Sequence, residues 1–155
     1  MEQKTKINAQ EGKQDLLIIR EFNLPVELLY KAYSEPELVE QWMGTKVIKF
    51  ENKDHGYYEF ETSHNGQVMF KANGTIHRVL PNQEIVRTFE MDNTPIGVQL
   101  EILKFENITD NTSKLTMHII YQSEKHRAEQ LKLPFEYGIN MAHQQLEDIL
   151  TKLKQ

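Results

Sequence analysis

The sequence predicts an α+β fold, a curved antiparallel sheet of about seven strands wrapped around a long C-terminal helix. Three features carry this reading. From Lys46 to Gln122 nearly every segment has strand character, with short turn-forming connectors between segments. Two short helices are expected between the first and second strands. The last twenty residues then place Phe135, Ile139, Ala142, Leu146, Ile149 and Leu153 at steps of four, three, four, three and four, which is one helix face. Gly138 and Ala142 keep part of that face thin, so another element can approach closely.

Residues 1–14 are polar and without period, and are expected to form a flexible tail ahead of a single domain over residues 15–155. Asp15 to Asn23 is a β-branched apolar run ending in alternation, hence a first strand. Leu24-Pro25 opens a helix with Val26, Leu29, Tyr30 and Tyr33 as its buried stripe. Ser34-Glu-Pro-Glu37 has the pattern of a capping box and starts a second helix, with Leu38, Val39 and Trp42 apolar and Gly44 as its stop. Six strands follow: 46–52, 56–63, 67–79, 84–91, 97–107 and 114–122. Asn65-Gly66 is the strongest hairpin signal among their connectors. Gly74, inside the third of these strands, predicts a bulge or bend that curls the sheet. Residues 123–132 form a charged helical or irregular piece before Pro134 starts the terminal helix.

Composition narrows the function classes. The chain has 155 residues, enough for one domain with a core supplied by seven Phe, six Tyr and one Trp. There is no cysteine, so no disulfide framework, thiolate nucleophile or cysteine metal site. A net charge of −5 with scattered Lys and Arg argues against nucleic acid as a partner. No apolar run spans a membrane and no secretory signal opens the chain, so the protein is expected to be cytoplasmic. No phosphate-binding, dinucleotide or serine-hydrolase motif is present, and no cofactor is expected.

The order of elements resembles the helix-grip, START-like (SRPBCC) superfamily. Within it, the residues are most similar to the branch named after activators of the 90-kDa heat-shock chaperone's ATPase. The resemblance rests on Arg20-Glu-Phe22, Pro25-Val-Glu-Leu-Leu, Ala32-Tyr-Ser-Glu-Pro36-Glu-Leu38 and Gln41-Trp42. It continues in Gly56-Tyr-Tyr-Glu-Phe60, Gly66, Gly74-Thr-Ile-His-Arg-Val79, Pro81 and Glu84-Ile-Val-Arg-Thr-Phe89. It covers residues 15 to 153. The resemblance implies a cavity between sheet and helix, and the branch name implies a chaperone as partner. Met43-Gly44 after the Trp, and Arg78 before Val79, depart from the branch; lining a pocket, either would change its ligand.

Strand parity predicts the inward residues. Tyr58, Phe60 and Thr62 share one face, with Tyr57, Glu59 and Glu61 on the other. Val98, Leu100 and Ile102 alternate with Gln99 and Glu101, and Leu115, Met117, Ile119 and Tyr121 with Thr116, His118 and Ile120. Arg87 falls among Ile85, Phe89 and Met91, where an unpaired charge costs several kcal/mol, so Glu59 or Glu101 is its expected partner unless it holds a ligand anion. The expected function is non-catalytic binding of a small hydrophobic or amphipathic molecule. Its candidate lining is Trp42, Tyr58, Phe60, Phe70, Ile76, Arg87, Phe89, Leu100, Met117, Phe135 and Ile139. A dry void of ~300 Å3 would cost ~7 kcal/mol, a large share of a domain's stability, so such a space is expected to be filled or closed. Two alternatives accompany this reading. One is activation of a chaperone ATPase. The other is a cyclase- or hydrolase-type enzyme using His77, His118 or Glu59. His143 and Glu147 stand four apart on the terminal helix but lack a third ligand, so no metal site is expected. An exposed strand edge leaves dimer formation open.

Overall fold

A computed structural model describes residues 4–154. Strand β1 (Lys6–Asn8) and strand β2 (Asp15–Phe22) lead into helices α1 (Val26–Ser34) and α2 (Pro36–Met43). Six strands follow: β3 (Lys46–Phe50), β4 (Gly56–His64), β5 (Gln67–Leu80), β6 (Glu84–Met91), β7 (Gln99–Thr109) and β8 (Thr112–Ile120). Helix α3 (Glu124–Leu131) and the long helix α4 (Phe135–Thr151) complete the chain, with a 3-10 turn at Lys152–Lys154. The strands form one antiparallel sheet in the order β1-β2-β8-β7-β6-β5-β4-β3. Consecutive strands from β3 to β8 are neighbours because their connectors are too short to cross over. The helix-grip, START-like architecture expected from the sequence is the one the chain adopts. No helix among the described residues is long and apolar enough to cross a membrane.

Local chemistry explains most boundaries. Gly44 ends α2 in the left-handed region at φ 64°, donating its N–H to the Glu40 carbonyl at 3.1 Å. Asn65 and Gly66 both have positive φ, 52° and 79°, which suits the tight turn between β4 and β5. Ser123 caps α3 through a hydrogen bond from the His126 N–H. The edge strand β3 carries Lys46 and Lys49 and shifts register between Val47 and Lys49, features that blunt a sheet edge.

Five local expectations are corrected. The segment expected as a tail contributes β1, with Thr5 buried and Ile7 packed on the core; residues 1–3, like Gln155, lie outside the described residues. Three residues of strand carry no periodicity, and it is the open side of β2 that orders them. The capping box does not form, because Ser34 is the last residue of α1 and Glu35 becomes the cap of α2. Gly74 is not a bulge: it pairs in register with Tyr58, and the ladders that flank β5 shift register at Thr62/Ser63 of β4 and at Ile76/Arg78 of β5. A Cβ on Gly74 would lie 2.6 Å from the Tyr58 hydroxyl oxygen and 2.0 Å from the Thr88 carbonyl, so the glycine makes room for the phenol. β7 begins at Gln99 because Gly97 turns at φ 75°.

The fifth correction concerns α4. Its fully buried residues are His143, Leu146, Glu147 and Leu150, while Phe135, Ile139, Ala142 and Ile149 are half-buried and Leu153 is exposed. At 100° per residue the expected positions stay within one arc of the helix, and the buried residues 143, 147 and 150 lie about 60–120° round from its centre, so packing against α1 and α2, not the apolar spacing, sets the buried side.

Candidate functional site

The side chains that face α1 and α4 from the middle of the sheet are Tyr58, Phe60, Ile76, Ile85, Arg87, Glu101, Leu103 and Met117, all buried. Their parity follows from cross-strand pairing, since residues directly opposite share a face. Arg87 of β6 lies opposite Glu101 of β7, and Tyr58 of β4 opposite Gly74 of β5. The empty side of Gly74 lets the Tyr58 ring cross β5, so that its hydroxyl donates to the Thr88 carbonyl on β6.

Around Arg87 the interior is polar. Its Nε donates to Glu101 Oε1 at 2.9 Å, and Gln99 Nε2 donates to Glu101 Oε2 at 2.9 Å. The guanidinium carbon stands 5.2 Å from the centre of the Tyr58 ring. Burial opposes the Arg87 charge, but the Glu101 carboxylate, through its charge and its hydrogen bond, outweighs it and holds the pKa above the usual arginine value. Burial likewise pushes the Tyr33, Tyr58 and Tyr121 hydroxyls above the usual tyrosine range, so they remain protonated. Tyr33, from α1, is 3% exposed, and its hydroxyl has no hydrogen-bond partner among the described residues. An unsatisfied buried hydroxyl costs about 1–3 kcal/mol. Aromatic rings pack in the same core: Phe50 stacks on Phe60, Tyr58 tilts against both, and Tyr33 packs against Trp42 and Phe105 at centroid distances of 5.1 and 5.7 Å.

Of the residues expected to line a cavity, Tyr58, Phe60, Ile76, Arg87 and Met117 come together here. Trp42 is buried where α1 meets α2, and its indole N–H is spent on the Ala32 carbonyl at 2.7 Å. Phe89 and Ile139 are half-buried at the margin of the core. Leu100 faces the other side of the sheet, opposite Thr88 and Ile120, because Glu101 turns inward to meet Arg87. Phe70 is exposed on the outer end of the β4–β5 hairpin with Val68 and Met69. Phe135 lines an outer depression of about 450 Å3 with Ile7, Leu131, Leu133 and Tyr137. Another groove, of about 660 Å3, lies at the ends of β2 and β8 between Lys4, Arg20, Lys114 and Glu147. Neither includes the Arg87 cluster.

The acid–base candidates lie outside the interior. His77 is exposed beside His55. His118 is on the outer face, where it meets Asp15 at 2.7 Å and lowers the Asp15 pKa. Glu59, also on the outer face, accepts from the Tyr57 hydroxyl at 3.1 Å. Of the two departures from the family pattern, Met43 is exposed, and Arg78 points outward to Glu84 at 3.7 Å.

A second buried polar group was missed by sequence reasoning. Arg20, 1% exposed, donates to Gln144 at 3.1 Å and stands 3.7 Å from Glu147, which accepts from the Asn23 N–H at 2.8 Å. His143 meets the Thr5 hydroxyl at 3.0 Å. Burial, and then the Arg20 charge, drop the His143 pKa to about 3, so it is neutral. The available signal was parity: Arg20 falls in step with Leu16, Ile18 and Phe22, and His143 with Glu147 one turn on. This cluster ties β1, β2 and α4 together.

Family-level comparison matches residues 23–151 to proteins described as Activator of Hsp90 ATPase homolog 1-like protein. No curated protein matches the sequence. Solved structures share the fold. A Rhodobacter sphaeroides protein superposes with a TM-score of 0.84 at 19% identity, covering 96% of this chain and 99% of its own. Protein Ms6760 from Mycobacterium smegmatis gives 0.83 at 19% identity, covering 94% and 96%. An Arthrobacter aurescens protein gives 0.85 at 14% identity, covering 95% and 91%.

Proposed function

The chain belongs to the Activator of Hsp90 ATPase homolog 1-like family, and we propose that it is a non-catalytic protein that encloses a small hydrophobic or amphipathic molecule between its sheet and α4. The observation that carries this reading is the buried polar cluster of Arg87, Glu101 and Gln99, together with a buried Tyr33 hydroxyl that the described residues do not satisfy. A ligand with one polar end supplies the missing partner and buries its apolar body against Phe60, Ile76 and Met117. Arg87 stays charged and the tyrosines stay protonated, so these groups bind without exchanging protons near neutral pH. Entry runs past the first half of α4, where Tyr137 and Met141 are exposed and Phe135 and Ile139 only half-buried, whereas the second half is anchored by Leu146 and Leu150.

A thermal-shift screen against fatty acids, sterols, aromatic polyketide-like compounds and metabolites tests this, with mass spectrometry of the denatured protein to find co-purified molecules. A ligand at 100 times its dissociation constant adds ~2.7 kcal/mol, a shift of several degrees. No shift together with no bound molecule would sink the reading.

The family description favours a second reading, stimulation of a chaperone ATPase. The exposed Val68, Met69 and Phe70 on the β4–β5 hairpin offer an apolar surface for such a contact. The ATPase rate of a purified Hsp90-class chaperone, measured with excess of this protein, decides it; an unchanged rate removes it.

A further inference from the structure

The groove at the ends of β2 and β8 carries a charge opposite to that of the chain. Four cationic side chains line it, Lys4, Lys6, Arg20 and Lys114, against two carboxylates, Glu21 and Glu147. That surplus of two positive charges sits in a protein of net charge −5. The rim does not cancel it. Glu106, 3.4 Å from Lys114, is offset by Lys154, whose Nζ donates to the Asn23 carbonyl at 3.1 Å.

These cations keep capacity for a ligand. Lys4 Nζ and Arg20 Nη2 each stand 3.7 Å from the same oxygen, Glu147 Oε2, beyond the length of a normal hydrogen bond. Arg20 gives Nη2 to Gln144 at 3.1 Å and Nη1 to Thr5 at 3.4 Å, but its buried Nε has no acceptor among the described residues. A buried donor left in that state is costly, and an arriving acceptor relieves the cost. The Lys4 and Lys114 side chains reach water, and solvent-exposed ion pairs such as theirs are weak enough to yield to a stronger anion.

Size and sign together select the ligand class. The groove volume of about 660 Å3 falls within the ~300–1,000 Å3 of small-molecule sites. A single carboxylate would leave one surplus charge unmet, whereas a phosphate monoester is close to dianionic at neutral pH and rich in acceptor oxygens. We propose that this groove, separate from the Arg87 cluster, is a binding site for a small phosphate monoester. The phosphate lies among Lys4, Lys6 and Lys114 and accepts from the Arg20 Nε–H, while Ile19 and Ile108 give the remainder of the molecule an apolar wall.

The test is an NMR titration of the full chain, isotope-labelled, at neutral pH and at an ionic strength held constant with sodium chloride. Its probes are inorganic phosphate, glycerol phosphate, acetate and vesicles of phosphatidylglycerol. Both phosphates are expected to give saturable shifts of the Asn23, Ile108 and Thr112 amides, with acetate about tenfold weaker. The Arg20 Nε–H resonance should move downfield while those of Arg78 and Arg87 stay in place. Lys114→Gln, a change at a partly exposed side chain, should weaken phosphate about threefold and leave the rest of the spectrum as it is. Shifts that chloride alone reproduces, or an affinity unchanged in Lys114→Gln, overturn the site. Acetate as tight as phosphate overturns the dianion assignment, and an unmoved Arg20 Nε–H overturns the part given to Arg20. Vesicles bound as tightly as glycerol phosphate would make the ligand a lipid diester and overturn the monoester assignment.

Discussion

Arg87 and Glu101 stand opposite each other on neighbouring strands, with Nε 2.9 Å from Oε1, and their pairing decides which side of β7 is inside. Once Glu101 turns inward, Gln99, Leu103 and Phe105 follow it, and Leu100 is sent to the other face. The same pair makes the core polar at its centre, and its stability is open to measurement.

Glu101→Gln keeps a neutral acceptor but leaves the Arg87 charge uncompensated. Breaking one side of a buried pair costs about 3–5 kcal/mol. Replacing both partners, as Arg87→Met with Glu101→Leu, should cost much less than the single change. Urea unfolding of the two singles and the double gives the coupling; additive losses would show that the charges act independently.

Gly74→Ala tests the room beneath Tyr58. The new methyl would meet the phenol oxygen at 2.6 Å and the Thr88 carbonyl at 2.0 Å, so the strands must part. A loss of about 1–3 kcal/mol is expected, recovered in part by Tyr58→Phe in the same chain. No change in the unfolding midpoint for Gly74→Ala would contradict this packing.

Leu103→Ala and Leu100→Ala form a matched pair on one strand. Leu103 is fully buried, so its truncation should cost about 2–5 kcal/mol. Leu100 is half-buried on the outer face, and less than half that loss is expected. The reverse order in denaturant unfolding would invert the assignment of the inner face.

His143 gives the protein a pH-dependent term with a defined sign. Its pKa falls from the ordinary ~6.5 to about 3 in the folded state, so the unfolded chain binds the proton more readily. The contribution is fully present above the unfolded value and is lost as pH falls towards the folded one. Between pH 6 and pH 3.5 it should weaken stability by about 1.4 kcal/mol per pH unit, in addition to the carboxylates. His143→Gln should lose that increment, which parallel unfolding curves of the two proteins would reveal; identical slopes would place a charged histidine in the fold.

Much of this was legible because it is local. Alternation in β2, β4 and β8, the Asn65-Gly66 turn, the Gly44 stop and the apolar spacing of α4 are short-range consequences of backbone geometry. Arg87 was visible as a charge in an apolar register, and Glu101 as one of its two expected partners. The sequence reading nevertheless put both Arg87 and Leu100 inside. Ladder register excludes that combination, because a partner opposite Arg87 on β7 must share its face.

The remaining site residues needed distance across the chain. Tyr33 read as helix stripe, and only the folding of α1 against β7 and β8 leaves its hydroxyl buried without a partner among the described residues. Thr5 lay in a featureless polar segment until His143, 138 positions on, reached it. The sequence by itself determined the element types, their order and the helix-grip architecture, since these follow from periodicity, turn chemistry and short connections. Tertiary structure alone decided the parity of β7, which side of α4 is buried and which polar groups share the interior. Each of these depends on register or on packing between distant elements that no local window contains.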